Sequence, residues 1–468
     1  MYQIWLMSRT RSALLYIVPF ICLIAVGWFT FQAGKLLQPP IVTLVPTHDQ
    51  ASGQLLQSIK ESFYHPLAIF ILQLLLIIVA SQLCGYLVKK IGQPAVMGEI
   101  IAGILLGPSL MGSLLPHFSA FVFPKASLGN LQILSQVGLI LFMFVIGMEL
   151  DRSTLKSKAS TALFISYFSI IIPFALGLGL SYPLYQRFAP AGIPFYAFSL
   201  FIGITLSITA FPVLARIIRE RNLTNTKLGV MSITAAAIGD VVAWCMLAFI
   251  IAIAKAGSVT SSIYTIIAAI AYAAAMLYIV KPLLAKMVMK SSDATMKRSV
   301  MAVIFSVLLL SAYCCEVIGI HALFGAFLAG AIMPADQHFR ETFINKIEDV
   351  ALVLLLPLFF VFTGLRTQVG LLNDPSLWGT CCLIIFVAVA GKFGGSALAA
   401  RISGETMKES LSIGALMNTR GLVELVVLNI GYDLHILSPQ IFTMMVLMAL
   451  ATTFMTIPAI NLINRIYK

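Results

Sequence analysis

The sequence predicts an all-α polytopic membrane protein. Its expected architecture is inverted six-helix repeats with interrupted helices, preceded by an extra N-terminal transmembrane helix. Three observations predict it. The 468 residues are 60% hydrophobic and only 10% charged, whereas soluble domains carry about 25% charged residues. Apolar runs recur from end to end, each close to the ~20 residues needed to cross ~30 Å of hydrocarbon. Two short motifs also recur at matching places in two sets of six runs.

The first run, 13–35, follows Arg9 and Arg11. It is too long for a signal-peptide core, and no small-residue cleavage site follows it. An N-terminal anchor is the reading, with a cleaved signal as the alternative. Residues 36–64 are polar and contain proline, as in an external loop, so 1–65 forms a first unit. The second, 66–468, holds spans near 66–88, 94–111, 130–150, 160–184, 193–218 and 228–255 (repeat one, 66–255). A linker helix at 262–285 follows. Spans near 299–317, 319–334, 348–365, 378–400, 409–431 and 438–463 make repeat two, 299–463. An odd number of spans from one set to the other inverts the second set.

Net charge is +12, yet it does not mark a nucleic-acid partner. The basic residues cluster in short loops on alternate sides of the spans: Lys89, Lys90, Lys156, Arg221, Lys297 and Lys408 on one side, with only a few such as Lys125, Arg187 and Arg366 on the other. That asymmetry places the richer side and both termini in the cytoplasm, in the cell (inner) membrane, with the lipid bilayer as partner. The seven cysteines lie in apolar runs without metal-ligand or disulfide spacing. No metal and no cofactor are expected.

Leu141-Phe-Met-Phe-Val-Ile-Gly-Met148 matches Leu358-Phe-Phe-Val-Phe-Thr-Gly-Leu365, third in each set. Glu99-Ile-Ile-Ala-Gly-Ile-Leu-Leu-Gly107 shares small-residue spacing with His321-Ala-Leu-Phe-Gly-Ala-Phe-Leu-Ala-Gly330, second in each set. Inverted repeats are a hallmark of secondary transporters, which bind near the midplane through interrupted helices. Interruptions are expected at matching places. Ser207-Ile-Thr-Ala-Phe-Pro212 puts a proline in an apolar run, and Asn418-Thr-Arg-Gly421 puts a glycine there. Proline removes an amide donor, and glycine loosens the ladder. A simple kink at Pro212 is the alternative.

Asp240 lies deep in the span 228–255. A carboxylate at that depth disfavours insertion by roughly 2.5–3.5 kcal/mol, so function is the default reading; a structural hydrogen bond is the alternative. Lys392 lies deep in 378–400, too far from either end to snorkel. It is expected to pair with Asp240, or else to hold carbonyls of a broken helix. Thr209, Asn418 and Thr419 offer neutral oxygens, the hard ligands a dehydrated alkali cation takes. Arg420 and Glu424, spaced i,i+4, can pair on one face; with Ser207, Pro212, Gly239 and Gly421 they are expected to shape the cavity. Glu316 and His321 receive no assignment.

At Gly98-Glu-Ile-Ile-Ala-Gly-Ile-Leu-Leu-Gly-Pro-Ser109, Leu206-Ser-Ile-Thr-Ala-Phe-Pro-Val-Leu-Ala-Arg216, Phe324-Gly-Ala-Phe-Leu-Ala-Gly330 and Asn418-Thr-Arg-Gly-Leu-Val-Glu-Leu425 the chain resembles the cation:proton antiporters. The resemblance is to the branch of plant CHX-type and bacterial Kef-type exchangers, over roughly 66–463. It implies inverted six-helix repeats with crossed discontinuous helices, that Asp240 carries cation or proton, that Lys392 is its partner, and that the protein is a homodimer with an elevator-like core. Relatives usually carry two adjacent acids or Asn-Asp where this chain has Gly239-Asp240, so stoichiometry does not carry over.

The functional expectation is exchange of a monovalent cation, K+ or Na+, for protons by alternating access, with Asp240 shared between them. A gated cation channel or K+ efflux system on the same fold is the alternative. A membrane enzyme is disfavoured, since no HExxH, nucleophile elbow or phosphate loop stands near a membrane face.

Overall fold

The computed structural model describes residue 28 and residues 61–149, 159–221, 223, 226–256, 259–289, 298–334 and 336–467. The chain divides into two compact units, Met1–His65 and Pro66–Lys468. In the first unit only Trp28, which is helical, and residues 61–65 are described; the rest of the expected anchor 13–35 and external loop lies outside the described residues.

Among the described residues of the second unit the regular structure is helical. Repeat one contains α1 (Pro66–Lys90), α2 (Ala95–Leu106), α3 (Leu128–Glu149), α4 (Ala159–Phe188), the pair α5 (Phe195–Ser207) and α6 (Phe211–Glu220), and α7 (Lys227–Ala256). The linker α8 (Val259–Ala275) continues through a π turn, Met276–Val280, into Lys281–Met289. Repeat two contains α9 (Arg298–Ile318), α10 (Ala322–Ala331), α11 (Gln337–Val350), α12 (Leu356–Arg366), α13 (Pro375–Val389), the pair α14 (Met407–Met417) and α15 (Leu422–Asp433), and α16 (Pro439–Ile466). Among the described residues ten helices are long and apolar enough to cross a membrane, eleven counting the bent pair α14–α15. The two other expected spans are represented by shorter apolar helices, Phe195–Ser207 and Ala322–Ala331.

One boundary differs from expectation. The span placed at 348–365 is entered by a helix that begins at Gln337. Phe339, Phe343 and Ile347 form a buried i, i+4, i+8 stripe within an otherwise polar sequence, and the Asp336 carboxylate accepts the Phe339 amide at 2.7 Å. Mean hydropathy hides such an amphipathic turn. Glu316 and His321 also find a place. The Glu316 carboxylate accepts the Ala322 amide at 2.9 Å, and the His321 ring accepts the Leu323 amide at 3.4 Å, so both cap the start of α10.

The repeated motifs pack crosswise. On α3, a Cβ on Gly147 would stand 2.2 Å from the Phe327 carbonyl of α10, and one on Gly330 would stand 2.1 Å from the Phe144 carbonyl of α3. The counterpart crossing sets α12 on α2: a Cβ on Gly364 would meet the Gly103 Cα at 2.6 Å. Two helix backbones therefore touch at each crossing, which only glycine permits. The third element of each repeat is thus seated on the second element of the other.

Candidate functional site

The site grows from two interruptions. After Ser207 the chain turns extended at Ile208 (ψ 138°) and resumes as helix at Phe211. Pro212 falls in the first turn of α6, where a missing amide loses no hydrogen bond. In repeat two, α14 ends at Met417, Asn418 to Gly421 are non-helical, and α15 leaves at 41° to α14. The interruptions meet. The Ala210 amide donates to the Thr419 carbonyl at 3.1 Å, and the Thr209 hydroxyl donates to the Met417 carbonyl at 3.2 Å. Gly421 is needed for this approach, since a Cβ there would stand 2.7 Å from Val213.

Each interruption frees helix-end carbonyls, which need donors when buried. Those of α5 are met by two cations from repeat two. Arg420, fully buried, donates from Nη1 to the Thr205 carbonyl at 2.7 Å and from Nη2 to the Leu206 carbonyl at 2.6 Å. Lys392, 1% exposed, donates from Nζ to the Ser207 carbonyl and to the Ser169 carbonyl, the latter at 2.8 Å. Cations at a helix C-terminus are favoured by the helix dipole as well. Ser207 itself turns inward along its helices, its hydroxyl donating to the Gly203 and Ile170 carbonyls at 2.8 and 3.1 Å.

The Ser169 carbonyl is free for a local reason. Pro173, four residues on within α4, has no amide to give it. Lys392 stands in a π turn, Ala390–Gly394, packed over that proline; a Cβ on Gly391 would meet the Pro173 Cα at 2.9 Å. π turns are frequent where a helix serves a site. Sequence reasoning missed Pro173 and Ser169, although a proline inside a long apolar run was a usable signal.

Asp240 projects from α7 and is 2% exposed. Neither carboxylate oxygen makes a hydrogen bond of good geometry to the described residues. The Phe211 amide, in the first turn of α6, and the Lys392 ammonium act on it electrostatically. Lys392 and Asp240 do not form an ion pair in this conformation: the described ion pairs do not include them, and the lysine's protons go to carbonyls. The chemistry is that of a buried, available carboxylate near a lysine whose ammonium is held by backbone carbonyls. Gly239 is next to it, with room for a small side chain, since a Cβ would stand 3.4 Å from the Ser166 hydroxyl, an ordinary contact.

The remaining expected residues line the second interruption. The Asn418 amide donates to the Thr452 carbonyl at 3.4 Å and leaves its Oδ1 unpartnered, while the Thr419 hydroxyl meets that of Thr456 at 3.4 Å. Thr453, also missed, accepts the Arg420 amide at 3.0 Å and donates back to its carbonyl at 2.9 Å. Glu424, fully buried, lies 3.5 Å from Arg420 Nη1 without a hydrogen bond of its own. Among the described residues no group of three His, Cys, Asp or Glu is placed to hold a metal ion.

Comparisons with known proteins agree with this architecture. Residues 76–461 match the family described as sodium/hydrogen exchanger, transmembrane. The chain is 40% identical over 396 residues to the Na(+)/H(+) antiporter NhaS4 of Synechocystis, covering 84% of this chain and 97% of that protein. It is 40% identical over 408 residues to cation/H(+) antiporter 17 of Arabidopsis thaliana and 32% identical over 424 residues to K(+)/H(+) antiporter 1 of Saccharomyces cerevisiae. Those alignments take in 86% and 88% of this chain but only 49% and 48% of the relatives, so the chain spans about half the length of the plant and yeast proteins. The solved sodium proton antiporter MjNhaP1 from Methanocaldococcus jannaschii shares the fold: TM-score 0.63 at 16% identity, over 85% of this chain and 96% of that one. The chain therefore belongs to the sodium/hydrogen exchanger family as its multi-pass transmembrane domain, a family of transporters and not of enzymes.

Proposed function

We propose that this cation/proton antiporter exchanges a monovalent cation, Na+ or K+, for protons by alternating access, with Asp240 as the carboxylate both compete for. The relatives are named for cation/proton antiport, one for Na+ and one for K+. The observation that carries the reading is the state of Asp240: buried, without a well-formed hydrogen bond among the described residues, and next to two meeting helix interruptions. An ionised carboxylate so placed is stabilised only by a cation or by taking a proton, and those are the two substrates. Thr209, Asn418 and Thr419 supply neutral oxygen at the same crossing. Lys392 and Arg420 keep the freed α5 carbonyls engaged, so the interruption persists whichever substrate is bound. The protein works as a homodimer in the cell membrane with both termini cytoplasmic.

The test is purified protein in proteoliposomes loaded with a pH-sensitive dye, with Li+, Na+, K+ and Rb+ added in turn. Cation-dependent proton movement that disappears in Asp240→Asn supports the reading and names the ion. Undiminished proton movement in that variant would remove Asp240 from the role.

A further inference from the structure

A second polar cluster stands away from this site, at the far end of α15. Arg366, the last residue of α12, bonds through Nη1 to Asp433 Oδ1 at 2.8 Å and donates to Asn429 Oδ1 at 3.0 Å. The Asn429 amide donates back to the Thr363 hydroxyl of α12 at 2.8 Å, and Gln132 of α3 donates to the second Asp433 oxygen at 3.3 Å. The guanidinium also lies over the Phe362 ring at 4.3 Å and the Tyr432 ring at 5.3 Å. The Arg366 side chain is only 16% exposed, so the pair is less screened by salt than one between fully exposed groups. The pair lines a recess that Gln132, Ser135 and His321 also line.

α15 has twelve residues, so about 18 Å separates this clamp from Arg420 and Gly421 at its other end. There a different, small recess is lined by Arg420 and Gly421 together with Val96, Met97 and Ile100 of α2, close in sequence to Lys89 and Lys90. One end of α15 thus meets α2 across a small, mostly apolar recess, while the other is clamped to α12 and α3. A carrier that alternates must open such a closure to expose the site on that side.

We propose that Arg366 and Asp433 form the gate on the face opposite the basic loops, holding α15 against α12 and α3 until the site turns toward that face. The two act through α15 and are positioning residues, not ligands. The proposal rests on the alternating-access reading above. The probe is Ser135→Cys, a nearly isosteric change at a buried recess position, labelled by a membrane-impermeant maleimide from the Arg366 face in oriented vesicles. Labelled sites are resolved by mass spectrometry. In Asp433→Asn, which keeps shape but removes the charge, labelling should quicken about five- to ten-fold through a population shift. The apparent KM for the cation from that face should fall, with turnover changing less. Arg366→Asp combined with Asp433→Arg should return labelling toward the wild-type rate, a rescue that a merely structural role would not produce. Labelling and KM unchanged in Asp433→Asn, while the probe in the otherwise wild-type protein responds to a cation gradient, would overturn the gate alone. A probe indifferent to cation and pH on both faces would overturn the gate together with alternating access.

Discussion

Pro173 and Lys392 are coupled through one carbonyl: the proline withholds the amide that would occupy the Ser169 carbonyl, and the lysine takes it at 2.8 Å. Pro173→Ala restores a competing donor inside α4. A hydrogen bond to a charged group contributes about 1.5–3 kcal/mol, so the held geometry of Lys392 weakens by that order. We expect cation/proton exchange to fall about ten-fold or more, with a monodisperse protein by size-exclusion chromatography. Wild-type turnover in Pro173→Ala would show that Lys392 does not depend on this carbonyl.

Asp240→Asn should abolish exchange and leave insertion intact, because the amide cannot ionise and its environment has no charged partner in contact to strand. Asp240→Glu keeps the charge on a longer arm and should retain a fraction of the rate. The proteoliposome dye assay measures both, and equal rates in Asn and wild type would be decisive against the carrier role.

The charge balance of transport can be read from Lys392. With glycine at 239, a single carboxylate trades one cation for one proton, so flux should be electroneutral and indifferent to a valinomycin-clamped voltage. Lys392→Gln should lower the rate by loosening the α5 carbonyls without introducing voltage dependence. Voltage-dependent wild-type flux that Lys392→Gln abolishes would instead mean that the lysine gives up its proton in each cycle. Voltage dependence surviving that change would point to Glu424, a fully buried carboxylate of the broken span.

Gly330→Val should be among the most damaging changes distant from the site. Its Cβ would lie 2.1 Å from the Phe144 carbonyl, and backbone cannot yield as a side-chain tip can. The loss should exceed the ~1–3 kcal/mol of an overpacked core. Fluorescence-detected chromatography should show aggregated or low-yield protein, and Gly364→Val should behave alike because it fills the symmetry-related crossing. A stable, monodisperse Gly330→Val protein would contradict the close packing.

Much of this protein was legible along the chain because the relevant physics is local. Hydropathy over ~20 residues marks a span whatever its neighbours are, Pro212 and Gly421 mark where a helix ladder fails, and a lone Asp240 or Lys392 in apolar surroundings declares itself. The amphipathic α11 escaped because its buried stripe lies in a polar segment. What a buried charge bonds to is not local. Lys392 could have met Asp240 or loose carbonyls, and the sequence left both open. Packing of the π turn over Pro173 brings its ammonium to carbonyls 223 and 185 residues away. The Arg366–Asp433 clamp arises likewise, from a helix end meeting the distant end of a broken span. Donor, acceptor and depth are written in residue type. Which donor reaches which acceptor depends on where backbones touch, and that is decided by glycine contacts such as Gly147 on Gly330, whose partners only the folded chain brings together.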